Sequence, residues 1–263
     1  MGVLGDAWGW LTTGANWSGD GGVWHRLEEH VVVSGVALAL ACAIALPLAL
    51  FLGHLGKGGA LAVNISNVGR AVPVFAVLAL FMVSPLRNSG SVPTIIALVL
   101  FAVPPLLTNT YVGMREVDPA VVEAARGMGM SGRQVFVRVE LPLAYPMIMT
   151  GLRSAAVQVV ATATIAAMVG QGGLGRIITA GFNTYDTGQV VAGALLVALL
   201  ALLVEGALVA LDRLIDPAPS LAGTPADPGA DTPADGGTPA RTPDRTPDRA
   251  TDRATDHGAT TTV

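Results

Sequence analysis

Asp118–Pro142 reads DPAVVEAARGMGMSGRQVFVRVELP, and the folding of this stretch decides how the rest of the chain is read. It lies between two long apolar runs, so it is a polar module hung from membrane helices. Asp118 supplies an N-cap carboxylate and Pro119 fits the first helical position, where its missing N–H costs nothing. The helix they open carries Val121, Val122, Ala125 and Met128 on one broad face. Gly127 and Gly129 are placed to stop it, because glycine takes the left-handed conformation that ends helices. Ser131, with Gln134 three residues on, has the spacing of a capping box and opens a second short helix, which Pro142 is predicted to end. Two short helices joined by a bend form a compact knob outside the hydrocarbon.

The composition agrees with the membrane setting. Apolar residues make up 52% of the chain, charged residues 13%, mean hydropathy is +0.59, and Lys57 is the single lysine. These values exclude an ordinary soluble globule and indicate an all-α polytopic membrane protein. The formal charge of -4 says little about partners, because much of the acid lies in the C-terminal tail. Cys42 has no second cysteine to pair with and falls in an apolar run, where it serves as a small buried group.

About five spans are expected. The first runs from about Val31 to Gly53 and contains Pro47. The second, over about 60–83, begins with a mixed entry containing Asn64, Ser66, Asn67 and Gly69. Arg70 cannot face lipid cheaply and should face a partner or water. The third covers Val92 to Met114, with a kink at Pro104-Pro105. The fourth covers Tyr145 to Val169 and is rich in small residues that favour close helix packing. The fifth covers Gln189 to Leu211. Each is near the ~20 residues that cross the hydrocarbon. Arg115, Arg126, Arg133 and Arg138 concentrate positive charge in the loop around 115–138, which the positive-inside rule places in the cytoplasm. The N-terminus is then outside and the C-terminus inside.

Three regions follow: an extracytoplasmic segment over 1–30, a transmembrane domain over 31–216 holding the loop 115–142, and a tail over 217–263. The first lacks the basic start and compact apolar core of a signal peptide. Its Trp8, Trp10, Trp17 and Trp24 read as interfacial anchors; an aromatic cage is the competing reading, with no helical spacing to gather them. The tail repeats Thr242-Pro243-Asp244-Arg245 as Thr246-Pro247-Asp248-Arg249, has almost nothing to build a core from, and is expected to be disordered.

Several chemistries are excluded. Gly170-Gln171-Gly172-Gly173-Leu174-Gly175 spells GxGxxG, but no strand precedes it; it reads as a flexible external turn, with a short helix over Arg176–Phe182. Gly56-Lys57 lacks the rest of a phosphate-binding loop, so ATP is not bound that way. His25, His30, His54 and His257 are scattered, so neither a metal site nor a catalytic set is expected. Glu205 is the acidic intramembrane residue; it would be the prime proton carrier of a secondary transporter, but pairing with an arginine is the favoured reading.

The loop resembles the EAA loop of ABC importer permeases: Glu123-Ala124-Ala125, Gly129 after three residues, then Val139, Leu141 and Pro142 after nine more, with valine for the usual isoleucine. The resemblance extends over about 30–215 and is nearest to the glycine betaine/choline (osmoprotectant) permeases. Asn67 to Pro73, Pro104 to Gly113, Val169 to Gly175 and Ala192-Gly193-Ala194 carry it. It implies a type I importer permease (MetI-like) fold and a subunit that is not an enzyme and binds no cofactor, metal or nucleic acid. It also implies a cytoplasmic ATP-binding subunit, an extracytoplasmic substrate-binding protein, a second permease subunit (identical or paralogous), surrounding membrane lipid, and a small-molecule substrate. Val121, Val122, Glu123, Ala124, Ala125, Met128, Gly129, Leu141 and Pro142 would form the ATPase-coupling surface, with Glu123 and Arg126 paired or facing the partner. Pro73, Phe75 and Asn109 are candidates for the translocation path. Pro73-Val74-Phe75-Ala76 departs from the Pro-Ser-Leu-Ala usual in the betaine group, which leaves methionine or another small solute open. A stand-alone secondary carrier is the competing class.

Overall fold

The computed structural model describes residues 2–215, apart from the side chains of Leu61, Ala62, Val63, Ser66, Val68 and Arg70; the surroundings of Arg70 and the state of the tail lie outside the described residues. Among these residues every regular element is a helix. In chain order they are α1 (Val3–Thr12), α2 (Val23–His54), α3 (Gly59–Ala71), α4 (Val74–Val83), α5 (Val92–Arg115), α6 (Pro119–Gly127), α7 (Gly132–Val135), α8 (Leu141–Ala166), α9 (Gly175–Thr184) and α10 (Thr187–Ile215).

Four continuous helices are long and apolar enough to cross a membrane: α2, α5, the run Gly132–Val169 that contains α8, and α10. The second expected span is two helices, not one. Val72 is extended (φ −84°, ψ 125°) because the following Pro73 disfavours helical backbone before it, so the chain turns a corner between α3 and α4. The pair still runs the length of α5. Gly59 lies beside Tyr111, Gly69 against the ring of Pro104, and Leu78 clusters with Ala97 and Ala166. α4 alone, at 10 residues, is shorter than a helix that crosses the hydrocarbon.

The core is the contact of α2, α5 and α8. Ala37, Ala41, Ala45 and Ala49 recur every four residues along α2 and are fully buried against Leu98, Ala102 and Leu106 of α5 and Ala155, Val159 and Ala163 of α8. Such small residues let backbones approach, which in lipid replaces the hydrophobic drive as the source of helix association. The adjoining stripe of α2 (Val36, Leu40, Ile44, Leu48), about 100° round the helix, is exposed and apolar. Glycines admit the closest contacts: a Cβ on Gly53 would sit 2.5 Å from Met114 Cβ, and one on Gly113 would sit 2.6 Å from Met147 Cβ.

Pro104 and Pro105 lie inside α5 and remove two helical donors, so the carbonyls four residues back lose their partners. For Phe101 the loss is made good from another helix: Gln158 Nε2 of α8 donates to its carbonyl at 3.2 Å. Asn109 Nδ2 donates to the Pro105 carbonyl at 2.8 Å. A proline kink in a membrane helix persists where side chains take up the freed groups in this way.

The N-terminal region is more structured than expected. α1 packs beside the start of α10, with Asp6 against Gly188, and α2 starts at Val23, not Val31. The tryptophans divide. Trp10 and Trp17 pack on the cluster of Val23, Leu174 and Leu200, while Trp8 and Trp24 are exposed as interfacial anchors would be. The fold brings Trp17 and Trp24 to 5.4 Å between ring centroids, tilted at 54°.

Candidate functional site

The knob stands at the end of the bundle where α2 finishes and α5 and α8 meet. Its first helix, α6, forms as its sequence dictates: the Asp118 carboxylate accepts the Ala120 N–H at 2.8 Å and Pro119 follows. Met128 closes the helix and Gly129 follows at φ +85°, the left-handed region that favours glycine. Ser131 and Gln134 form the capping box, with Ser131 N–H donating to Gln134 Oε1 at 2.8 Å and Gln134 N–H to Ser131 Oγ at 3.4 Å.

Pro142, however, does not end a second short helix. α7 passes through a π-helical turn, Phe136–Glu140, directly into α8, and Pro142 lies in the first turn of α8. A proline breaks a helix because it lacks the N–H for the carbonyl four residues back. The wider turn just before it shifts the bonding register and lets the helix run on. The knob is therefore one short helix and a bend on the extended end of a membrane span.

The nine residues expected to form a coupling surface divide between two faces. Ala125 is only 3% exposed, and Val122 packs on Met114, Val117 and Ala144, so these two anchor α6 to the bundle. Leu141 is half-buried in the helix start. The outward face holds Val121, Ala124 and Met128, the last 77% exposed, at the i, i+3, i+7 spacing of a single stripe. Glu123 and Arg126 flank the stripe, both exposed, and form no ion pair with one another among the described residues. Gly129 and Pro142 are exposed too.

Glu140, which the sequence reading passes over, fixes the knob to α2. It is buried, and its carboxylate meets His54 Nδ1 at 2.5 Å, with the Phe136 ring edge-on to the imidazole at 5.2 Å. The available signal is an acidic residue immediately before an apolar span, a position that water alone does not explain.

The path candidates are not gathered at one place. Asn109 sits where α5 touches α8, against Gly151, and its amide is engaged with the Pro105 carbonyl. Pro73 and Phe75 are exposed at the α3–α4 corner. Glu205 pairs with Arg153, whose Nε donates to Oε1 at 2.9 Å, across a cavity of about 580 Å³ between α8 and α10. The intramembrane acid is thus matched by a cation, as expected. At the far end the glycine-rich turn is held firmly. Gly173 N–H donates to Glu29 Oε2 at 2.8 Å and Leu174 N–H to His30 Nδ1 at 3.2 Å. His30 Nε2 reaches the Val160 carbonyl at 3.0 Å, so the proton sits on Nε2. The helix after the turn, α9, is longer than the expected Arg176–Phe182.

Residues 35–217 match the family model for the binding-protein-dependent transport system inner membrane component. The chain is 37% identical over 194 residues to the choline transport system permease protein OpuBB of Bacillus subtilis, covering 74% of this chain and 88% of that one. It is 39% identical over 189 residues to the carnitine transport permease protein OpuCB of Listeria monocytogenes, covering 72% and 86%. An inward-facing structure of the MetNI methionine ABC transporter superposes with a TM-score of 0.64 at 22% identity, over 73% of this chain and 95% of the other. The last likeness fixes the fold as MetI-like.

Proposed function

The chain belongs to the family of binding-protein-dependent transport system inner membrane components, and on that premise we propose that it is the permease of an ATP-driven importer for glycine betaine, choline and related quaternary ammonium osmolytes. Its relatives are permease subunits, and ATP hydrolysis resides in a separate subunit. The observation that carries the reading is the knob: an apolar stripe, Val121–Ala124–Met128, presented outward by a helix whose inner face is fixed by Val122 and Ala125. An exposed apolar stripe with flanking charges suits a helix laid into a groove of a partner.

In this reading the knob is the coupling helix. It is cytoplasmic, on the argument of its four arginines, and docks on the ATPase. Glu123 and Arg126, unpaired with each other, are free to meet charges of the ATPase. Two permease subunits, identical or paralogous, enclose the path. A binding protein delivers solute to the end that carries α1 and the glycine-rich turn. ATP-driven closure of the ATPases moves the knobs, and the path alternates between its two openings. Because Glu140–His54 and the π turn join the knob to α2 and α8, a displacement of the knob passes into the bundle core. The secondary carrier is not favoured: Glu205, its candidate intramembrane acid, is engaged by Arg153.

The test is uptake of labelled glycine betaine into proteoliposomes holding this permease with its ATPase, ATP inside and binding protein outside. Uptake should need all three components, with choline competing. Uptake by the permease alone would overturn the assignment; ATP-coupled uptake indifferent to quaternary ammonium solutes would overturn the substrate class.

A further inference from the structure

We infer that the outward face of α8 at Thr150, Arg153 and Ser154, together with Glu205 of α10, is a wall of the aqueous path taken by the solute. The inference rests on the importer reading and locates on this chain the surface that the solute passes.

A helix that faces lipid shows it large aliphatic side chains, and three of the long helices do so. α2 exposes Leu40 and Leu48, α5 exposes Ile96 and Leu100, and α10 exposes Leu199 and Leu203. α8 differs. Leu143 and Met168 are exposed near its two ends, and between them no large apolar side chain is exposed among the described residues. Those ends are 25 residues apart, about 37 Å at ~1.5 Å per residue, which exceeds the ~30 Å of hydrocarbon. Within these limits α8 exposes Pro146, Thr150, Ser154 and Ala161. Hydroxyls and small groups stand where lipid would meet aliphatic side chains.

The second observation is charge. Arg153 and Glu205 line one groove between α8 and α10, with side chains 34% and 32% exposed. Glu205 stands seven residues, about 10 Å, before the Asp212-Arg213 end of α10, so the pair lies within the hydrophobic thickness. Charged groups at that depth turn to protein or to water, because lipid solvates neither. Arg153 Nε donates to Glu205 Oε1 at 2.9 Å and Nη2 donates to the same oxygen, so Oε2 is left for another donor. The groove holds the cavity of about 580 Å³, bounded on the α10 side by Ala201 and Leu202. Room of this size beside a carboxylate, a guanidinium and hydroxyls suits water, which needs such partners. A packed neighbouring helix would instead have to bury the pair.

A wall of this kind carries no net charge. The ion pair is closed on itself, so a zwitterion or a cation passes without being trapped. Removing either partner unbalances the wall, and the sign of the remaining charge decides which solute is hindered.

The experiment uses proteoliposomes holding the full-length permease with its ATPase and binding protein. In a Cys42→Ala background, Ser154→Cys should react with trimethylammonium-ethyl methanethiosulfonate at least about tenfold faster than Leu40→Cys on the exposed apolar stripe of α2. The reagent attacks thiolate, and thiolate forms in water. Glycine betaine in transit should slow the reaction, and the reaction should block uptake. Ser154→Cys reacting no faster than Leu40→Cys overturns the wall. So does a Ser154→Cys that resists the reagent yet forms a disulfide between two copies, which would make this face a subunit contact. The pair gives a second readout. Glu205→Gln should lower the choline-to-glycine betaine uptake ratio about fivefold, the scale of one solvent-accessible charge pair, and Arg153→Gln should raise it by a similar factor. A ratio unchanged in both variants overturns the assignment of the pair; where a charge variant fails to reach the membrane, the cysteine result decides alone. The two ideas fail separately: ATP-driven glycine betaine uptake with an unreactive Ser154→Cys removes the wall and leaves the importer, whereas no ATP-driven uptake of any quaternary ammonium removes the importer reading, and the wall's solute with it.

Discussion

Replacing His54 by alanine tests how the knob is held. Glu140 is 6% exposed, and among the described residues its carboxylate has one hydrogen-bond partner, His54 Nδ1 at 2.5 Å. Removing the imidazole leaves a carboxylate buried and uncompensated, a change that costs about 3–5 kcal/mol in general. The His54 side chain is 28% exposed, so water can enter the vacated space and the lower figure, about 3 kcal/mol, applies. At ~2–4 °C per kcal/mol for a chain of this size, the unfolding midpoint should fall by about 6–12 °C. Removing both partners should restore much of the loss, because no unpaired charge remains; His54→Ala/Glu140→Ala is expected to be more stable than His54→Ala alone. Cys42, the free and partly buried thiol of α2, gives the assay: its reaction with a thiol-sensitive dye during heating reports unfolding of the purified protein. Transport gives a second readout, since a loosened knob should lower solute moved per ATP more than ATP hydrolysis itself. A His54→Ala midpoint within about 1 °C of wild type, well under the shift of a single kcal/mol, would refute the reasoning, as would strictly additive effects in the double variant.

Gly129→Asp should abolish uptake while the protein still reaches the membrane: no atom lies within 4 Å of an added Cβ, so the chain itself has room, and the cost is ~1–2 kcal/mol of left-handed strain plus a charged side chain on the docking face. Normal uptake by that variant counts heavily against the coupling role. Gln158→Leu should lose about 1–3 kcal/mol by stranding the Phe101 carbonyl, and adding Pro105→Ala, which restores a backbone N–H four residues on, should recover part of it in the same dye assay. Gly53→Ala should lower the midpoint through overpacking worth about 1–3 kcal/mol, since its Cβ would sit 2.5 Å from Met114 Cβ; an unchanged midpoint would show that α2 and α5 can separate at no cost.

What is local in this protein is legible from the residues. The apolar runs, the cap at Asp118, the capping box at Ser131 and the left-handed Gly129 depend on neighbours a few positions away, and all occur where the sequence places them. The spacing from Glu123 to Pro142, which marks the proposed coupling loop, is local in the same way. What the residues leave open is set by contacts across the bundle. α6 has apolar side chains on two faces, and only the tertiary fold packs Val122 on Met114 and Ala144, buries Ala125, and leaves Val121, Ala124 and Met128 outside. Pro142 reads as a stop until the π turn before it shifts the hydrogen-bond register. The glycine-rich turn reads as slack until Glu29 and His30, well over a hundred residues earlier, accept two of its N–H groups. Periodicity fixes which residues share a face and capping chemistry fixes where a helix begins. Which face is buried, and which polar group finds a partner, depends on atoms brought close by the fold and distant in the chain.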